Sequence, residues 1–263
     1  NEIYHLAGQS HVGLSFEIPE VTCLENGMAT LHLLEAMREL QIGTRLYIAA
    51  SSEVFGSPEE GPQSELTSLN PRNPYGAAKA FALNLGRIYR ESHGLFVSNG
   101  ILYNHESPRR GENFVTRKIT LGAARITAGL ELSIELGNLD GSRDWGYAAE
   151  YVEGMWRMLQ ADTPDDFVLA TGVATTVRDF AHAAFTAANV PVEFSGEGVE
   201  EIARRTDTGE VVLTVNEQFY RPVDANHLVG NSFKAKKQLG WVPKTSGTEL
   251  AALMLEAEMV SSF

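Results

Sequence analysis

Four residues in two short stretches have the types that a proton- and hydride-moving site requires. They are Ser51 and Glu53 in SSEVFG (51–56), and Tyr75 and Lys79 in NPYGAAK (73–79). A free phenol ionises only at about pH 10 and is a poor base at neutral pH. Lys79 follows Tyr75 by four residues, one helical turn, so its ammonium stands beside the phenol and favours the phenolate. Such a phenolate can take the proton of a hydroxyl while hydride leaves the same carbon. The Ser51 hydroxyl can hydrogen-bond the oxygen that becomes a carbonyl. Glu53 adds a carboxylate able to remove an acidic proton beside a new ketone, which prepares loss of water. Tyr-x-x-x-Lys alone is a weak pattern. It gains its weight from Ser51 and Glu53.

These residues need a scaffold that brings strand ends and helix starts together. Ile3–Ala7 reads as a short buried strand, 26–40 as a helix with Asn26 as N-cap, and 45–50 as a buried strand ending at Ser51. A helix over Pro74–His93 and a strand over 95–102 follow, with Pro74 suited to a first turn. Strands alternating with helices predict an α/β fold, a doubly wound parallel sheet of Rossmann type, in which ligands bind beyond the carboxyl ends of the strands. Polar clusters fall at three such ends: Gly8-Gln9-Ser10, Ser51-Ser52-Glu53 and Asn104-His105-Glu106. A smaller mixed α/β region is expected later. It has helices at 113–129 (Asn113 a possible cap) and 147–160, and strands at 131–136 and 166–172. Thr176 with Asp179 reads as a capping box for a helix to about Asn189. Residues 196–210 read as a charged surface loop, and Asn231 or Ser232 as the cap of a short helix stopped by Gly240.

Composition narrows the function classes. The net charge of −13 argues against general nucleic-acid binding. No apolar run approaches a membrane span, and no signal-peptide pattern occurs. The single cysteine, Cys23, suits a reducing cytoplasm. Seven histidines without HExxH or paired Cys/His predict no metal. Arg109, Arg110, Arg117, Lys118 and Arg125 crowd one stretch, readable as a solvated helix face or as a site for a diphosphate. Trp145, Trp156, Met28, Met155 and Met158 read as packing residues. Ser51 lacks a G-x-S-x-G elbow, which disfavours a serine hydrolase.

The motifs HLAGQSHV (5–12), SSEVFG, PRNPYGAAK (71–79), NGILYNHESPRRGENFVTRKI (99–119), LGNLDGSRDWG (136–146), YVEGMWRMLQ (151–160), FVLATG (167–172) and FYRP (219–222) extend over nearly the whole chain. On them the chain resembles the extended short-chain dehydrogenase/reductases, and within these the GDP-mannose 4,6-dehydratases. The resemblance implies a retained NADP and conversion of GDP-mannose to GDP-4-keto-6-deoxymannose. Ser51, Glu53, Tyr75 and Lys79 would be catalytic. Leu6, Ala7, Gly8, Gln9, Ser10, Tyr75, Lys79, His105 and Arg110 would contact the cofactor. Asn104, Asn113, Val115, Lys118, Arg143, Arg221 and Asp224 would hold the GDP-sugar. It also implies a homo-oligomer, dimer or tetramer. The implied division is 1–105 as dinucleotide-binding part, 106–137 as a substrate-domain segment, 138–172 as a return to the first part, and 173–263 as mainly substrate domain.

The sequence departs from the family pattern in places. Gly8 replaces a usual alanine, Ser51 a threonine and Phe55 a tyrosine, and Asp224 stands near a usual glutamate. The Gly-rich turn that receives a pyrophosphate is not found; Gly196-Glu197-Gly198 is followed by Glu201 where a third glycine would stand. About three βα units, roughly 70 residues, are expected to precede Asn1. Two alternatives remain open. One is a dehydratase, epimerase or reductase of another nucleotide sugar; the other is a truncated, non-catalytic homologue that binds one.

Overall fold

The computed structural model describes residues 1–41, 43–58, 61–219 and 228–261. In chain order the elements are β1 (Glu2–His5), α1 (Leu14–Glu17), α2 (Pro19–Cys23), α3 (Ala29–Leu40), β2 (Arg45–Ser51), α4 (Pro74–His93), β3 (Val97–Leu102), β4 (Asn104–Glu106), α5 (Val115–Thr127), β5 (Ile134–Leu136) and β6 (Ser142–Arg143). They continue with β7 (Trp145–Tyr147), α6 (Ala148–Gln160), β8 (Asp166–Leu169), β9 (Thr175–Thr176), α7 (Val177–Ala187), β10 (Val192–Ser195), β11 (Ile202–Arg205), β12 (Val211–Val215), α8 (Phe233–Leu239) and α9 (Gly247–Ser261). They form two compact units. The first comprises Asn1–Asn104, Ala149–Gly172 and His227–Lys244; the second comprises His105–Ala148, Val173–Asn226 and Thr245–Phe263.

The first unit is built on a parallel sheet of order β1-β2-β3-β8. All six residues of β3 are buried, as in a strand covered on both faces. Alternation along β2 sends Leu46 and Ile48 into a core with Leu34, Met37, Ala82 and Val97. Tyr47 points the other way, into a second core with Tyr151, Met155, Phe167 and Trp241. The sheet is therefore doubly wound, and its carboxyl edge carries the loop after β1, Ser51 and the residues after β3. The outer edge of β8 is covered by Glu65, whose Oε1 accepts from Val168 N at 2.8 Å.

Helix α4 crosses this sheet and is tied to it at its carboxyl half. Asp166, at the start of β8 and buried, accepts from Arg87 Nε and Arg90 Nη2, each at 2.5 Å, and from Asn99 Nδ2 at 2.7 Å. Burial works to raise the Asp166 carboxyl, and the two guanidiniums more than offset it, leaving it below its ordinary value.

The second unit holds a sheet of order β10-β11-β12-β5, antiparallel except for the β12–β5 pair. Helices α5, α7 and α9 bury Ile119, Phe180, Phe185, Leu250 and Met254 in its core. Trp145 joins them, its ring 5.2 Å from that of Phe180. Thr176 caps α7 as its spacing predicts, accepting from Asp179 N at 2.9 Å.

Several expectations are corrected. The first strand ends at His5 and is only half-covered, because its outer side carries no strand among the described residues. Asn26 caps no helix: Leu24–Met28 is a π-helical turn joining α2 to α3, and Asn26 is buried inside it. Residues 196–210 are not simply a loop, since β11 pairs on both sides while its arginines reach outward from buried Ala203. Phe114, not Asn113, stands at the cap position of α5, with no side-chain cap bond. The expected cap of α8 holds: Ser232 occupies the position, Asn231 Oδ1 accepts from Phe233 N at 3.0 Å, and Gly240 ends the helix. Trp156 is 51% exposed rather than core.

Candidate active site

The site in the first unit starts from the amino end of α4. Asn73 is its N-cap, with Oδ1 accepting from Gly76 N at 2.7 Å, and Pro74 takes the first turn. Four-residue spacing then puts Tyr75 and Lys79, both buried, on one face. Lys79 Nζ lies 5.7 Å from the centre of the Tyr75 ring. Burial lowers the Lys79 ammonium to about 8. His5, at the end of β1, is lowered by its own burial and then by the Lys79 charge, so the carboxyl end of β1 stands within electrostatic reach of that ammonium.

The second half of the site comes from the end of β2. Ser51 is extended and caps a 3-10 turn, Ser52–Val54; its Oγ accepts from Glu53 N at 3.3 Å, leaving its own proton to donate. The turn swings the Glu53 side chain toward α4, where Glu53 Oε2 accepts from Asn73 Nδ2 at 2.7 Å. Contact between turn and helix is close. A Cβ on Gly76 would lie 2.5 Å from the Glu53 carbonyl oxygen, so only glycine fits there. Asn73 is not among the sequence-derived candidates, although it lies inside PRNPYGAAK. Its signal was present: an asparagine directly before a helix-starting proline is a cap.

The loop after β1 completes this edge. Leu6 is 54% exposed, Ala7, Gly8 and Ser10 are exposed, and Gln9 is half-buried. Gly8 has φ +138°, and a Cβ there would meet Asn26 Oδ1 at 2.4 Å, which accounts for glycine in place of alanine. Asn26 Nδ2 donates to Gln9 O at 2.9 Å and to Thr22 O at 3.0 Å, fixing the loop to the π turn. Nothing in the isolated sequence distinguished this buried asparagine from a cap. These residues form an open, glycine-containing loop at the carboxyl edge of the parallel sheet, the edge at which such sheets bind ligands.

Asn104 is half-buried at the start of β4, in the first unit. The remaining described candidates lie in the second unit. His105 is half-buried. Arg110 Nε is 3.0 Å from buried Glu106 Oε2, and its guanidinium lies 3.5 Å from the centre of the Phe114 ring. Glu106 also accepts from Thr116 Oγ1 at 2.7 Å; burial raises its carboxyl above the ordinary range against the pull of Arg110 and Thr116. Arg117 pairs with buried Glu258, and Arg125 Nη1 lies 2.9 Å from Glu131. The basic stretch is thus largely ion-paired within its own unit. Arg109 is exposed, and Lys118 Nζ lies 4.3 Å from the Phe219 ring centre. Asn113 is exposed, Val115 opens α5, and Arg143 donates Nη1 to Ser142 O at 2.7 Å. Arg221 and Asp224 lie outside the described residues. Among the described residues no helix is long and apolar enough to cross a membrane, and no His/Cys/Asp/Glu group is placed to hold a metal.

Comparison with known proteins gives the family. The family model described as GDP-mannose 4,6 dehydratase matches residues 1–254. The chain is 48% identical to GDP-mannose 4,6 dehydratase 2 of Caenorhabditis elegans, over 98% of this chain and 68% of that protein. It is 49% identical to GDP-mannose 4,6-dehydratase of Sinorhizobium fredii, over 98% and 74%. Against the human GDP-mannose 4,6 dehydratase the values are 45%, 98% and 70%. In fold it matches RMD from Pseudomonas aeruginosa, solved with NADPH, with a TM-score of 0.85 at 22% identity, over 99% of this chain and 82% of that one. The UDP-glucose 4-epimerase of Thermotoga maritima follows with a TM-score of 0.79 at 24% identity, over 100% and 78%. With its doubly wound sheet, its Tyr75–Lys79 helix and these relatives, the chain belongs to the GDP-mannose 4,6 dehydratase family.

Proposed function

We propose that this protein converts GDP-mannose to GDP-4-keto-6-deoxymannose, using the Ser51, Glu53, Tyr75 and Lys79 constellation. The observation that carries the assignment of the site is the Glu53 carboxylate, held by Asn73 beside the capped start of the helix bearing Tyr75 and Lys79. Tyr75 takes the proton of the C4 hydroxyl, its acidity raised by the Lys79 ammonium on the same helix face. Ser51, its Oγ already engaged as an acceptor, donates its proton to the oxygen that becomes the C4 carbonyl. The new carbonyl acidifies C5–H; Glu53 removes that proton and passes it to the departing C6 hydroxyl, which leaves as water, and the proton held on Tyr75 goes to C5 when C6 is reduced. Bound NADP supplies the hydride acceptor for C4 and the hydride donor for C6.

Leu6, Ala7, Gly8, Gln9, Ser10, Tyr75 and Lys79 are assigned to the cofactor's nicotinamide side, with His105 and Arg110 as further contacts. Asn104, Asn113, Val115, Lys118, Arg143, Arg221 and Asp224 are assigned to the GDP-sugar, whose nucleotide provides remote binding energy that positions the hexose. A homo-oligomer follows from the family resemblance, and the single Cys23 suits the cytoplasm. The exposed Phe81 and Ile88 on α4 support an association surface.

The test is incubation with NADP and GDP-mannose, with the sugar product identified by mass and by NMR. The expected product is lighter than the substrate by one water and carries a 4-keto and a 6-methyl group. Glu53→Gln is expected to bind GDP-mannose as the wild type does and to lose about 10²–10⁴-fold in turnover. Unchanged turnover in that variant would remove Glu53 from the mechanism.

A further inference from the structure

We infer that Asn73 is a positioning residue that fixes the Glu53 carboxylate against the Tyr75 helix, through two opposed hydrogen bonds of one side-chain amide. The inference rests on the reading of Glu53 as the C5 base.

The argument begins with donor and acceptor types. The backbone N–H of Gly76 can only donate, so the atom facing it, at 2.7 Å, is the Asn73 carbonyl oxygen. An ionised carboxylate can only accept, so the atom facing Glu53 Oε2, also at 2.7 Å, is the Asn73 amide nitrogen. Each neighbour independently fixes the same orientation of the amide. A leucine could do neither task, and an aspartate could cap the helix but could not donate. Twenty residues separate Glu53 from Asn73, so chain proximity does not set the contact.

The bond has a consequence for the reacting oxygen. Glu53 Oε2 is held, while Oε1 is left to receive a proton. A charge-assisted bond of this kind is short and directional, and it restricts rotation of the carboxylate. The same amide defines where α4 starts, and Tyr75 is two residues further on. The base for C5 and the base for the C4 hydroxyl are therefore referenced to one side chain. Close contact of Gly76 with the Glu53 carbonyl fixes the backbone, and Asn73 fixes the side chain.

Three variants separate capping from positioning. Asn73→Asp keeps the acceptor for Gly76 N and removes the donor to Glu53. Asn73→Ser keeps a cap and offers one hydroxyl proton, and Asn73→Ala removes both bonds. Asn73→Asp turns a second carboxylate oxygen on Glu53 Oε2, so it is expected to melt below the wild type, with kcat down about 10²-fold and the KM for GDP-mannose unchanged. Asn73→Ser is expected to recover part of that loss, and Asn73→Ala to lose both stability and kcat. Wild-type kcat in Asn73→Asp would overturn the inference, as would losses of kcat that simply track melting temperature across the three variants. A second readout needs neither turnover nor bound cofactor. The Asn73 side-chain amide proton is expected downfield in the NMR spectrum of the wild type and to move upfield in Glu53→Gln. An Asn73 amide signal indifferent to Glu53→Gln would overturn the inference by itself. Failure of the dehydratase reading is distinguishable: it appears as absent turnover in the wild type, while the amide signal still responds to Glu53→Gln.

Discussion

Burying the Lys79 ammonium has a cost that can be measured. Its ordinary value of 10.5 falls to about 8 in the folded chain, and desolvation is the cause. At about 1.4 kcal/mol for each tenfold change in proton affinity, the difference gives about 3–4 kcal/mol of destabilisation while the folded lysine is charged. The sign follows from proton counting. Below about pH 8 both states are protonated and the full cost stands. Between about 8 and 10.5 the unfolded state binds more protons, so stability rises with pH. By about pH 9.5 some 2 kcal/mol of the cost is relieved. Lys79→Met keeps the length of the side chain and removes the charge. Urea denaturation of both proteins at pH 7 and at about pH 9.5 cancels the titrations that do not feel the Lys79 charge. The variant is expected to be the more stable at pH 7, with the gap narrowing by about 2 kcal/mol at the higher pH. A gap that stays constant with pH would refute the placement of a desolvated ammonium at this position.

Two further outcomes are expected. In an ordinary helix, Gly76→Ala would stabilise by about 1 kcal/mol. Here its Cβ at 2.5 Å from the Glu53 carbonyl oxygen forces the turn and helix apart, so a net loss of about 1–3 kcal/mol and about 10²-fold in kcat is expected, read by denaturation and turnover. Asp166→Ala leaves Arg87 and Arg90 without their shared carboxylate and is expected to lower stability by about 3 kcal/mol in urea titrations, with the KM for GDP-mannose unaltered.

What could be read in advance follows from the range of the interactions involved. Helix α4 was bounded correctly, because Pro74 and left-handed Gly94 punctuate it through local backbone preferences. The three polar clusters at strand ends were also legible, since the strands of a parallel sheet all end on one edge. Asn26 was misread because a polar residue before an apolar helical run looks the same whether it starts a helix or sits inside one already running. The pairings of Arg110 with Glu106 and Arg117 with Glu258 were hidden for different reasons. The first is a four-residue spacing among many charges, and the second joins residues 141 apart. The β11 strand looked like a loop because its charged residues suggest solvent, whereas a strand needs only one buried face.

Helix α4 is clamped like a beam, by Asn73 and Glu53 at one end and by Arg87, Arg90 and Asp166 toward the other. Most helices fray from their tips long before the body melts. A beam held at both supports has no loose tip, so warming leaves the Tyr75–Lys79 turn intact until the sheet beneath it gives way. Heat inactivation of this protein is then a single event coincident with global melting, not a gradual fading of a softened site.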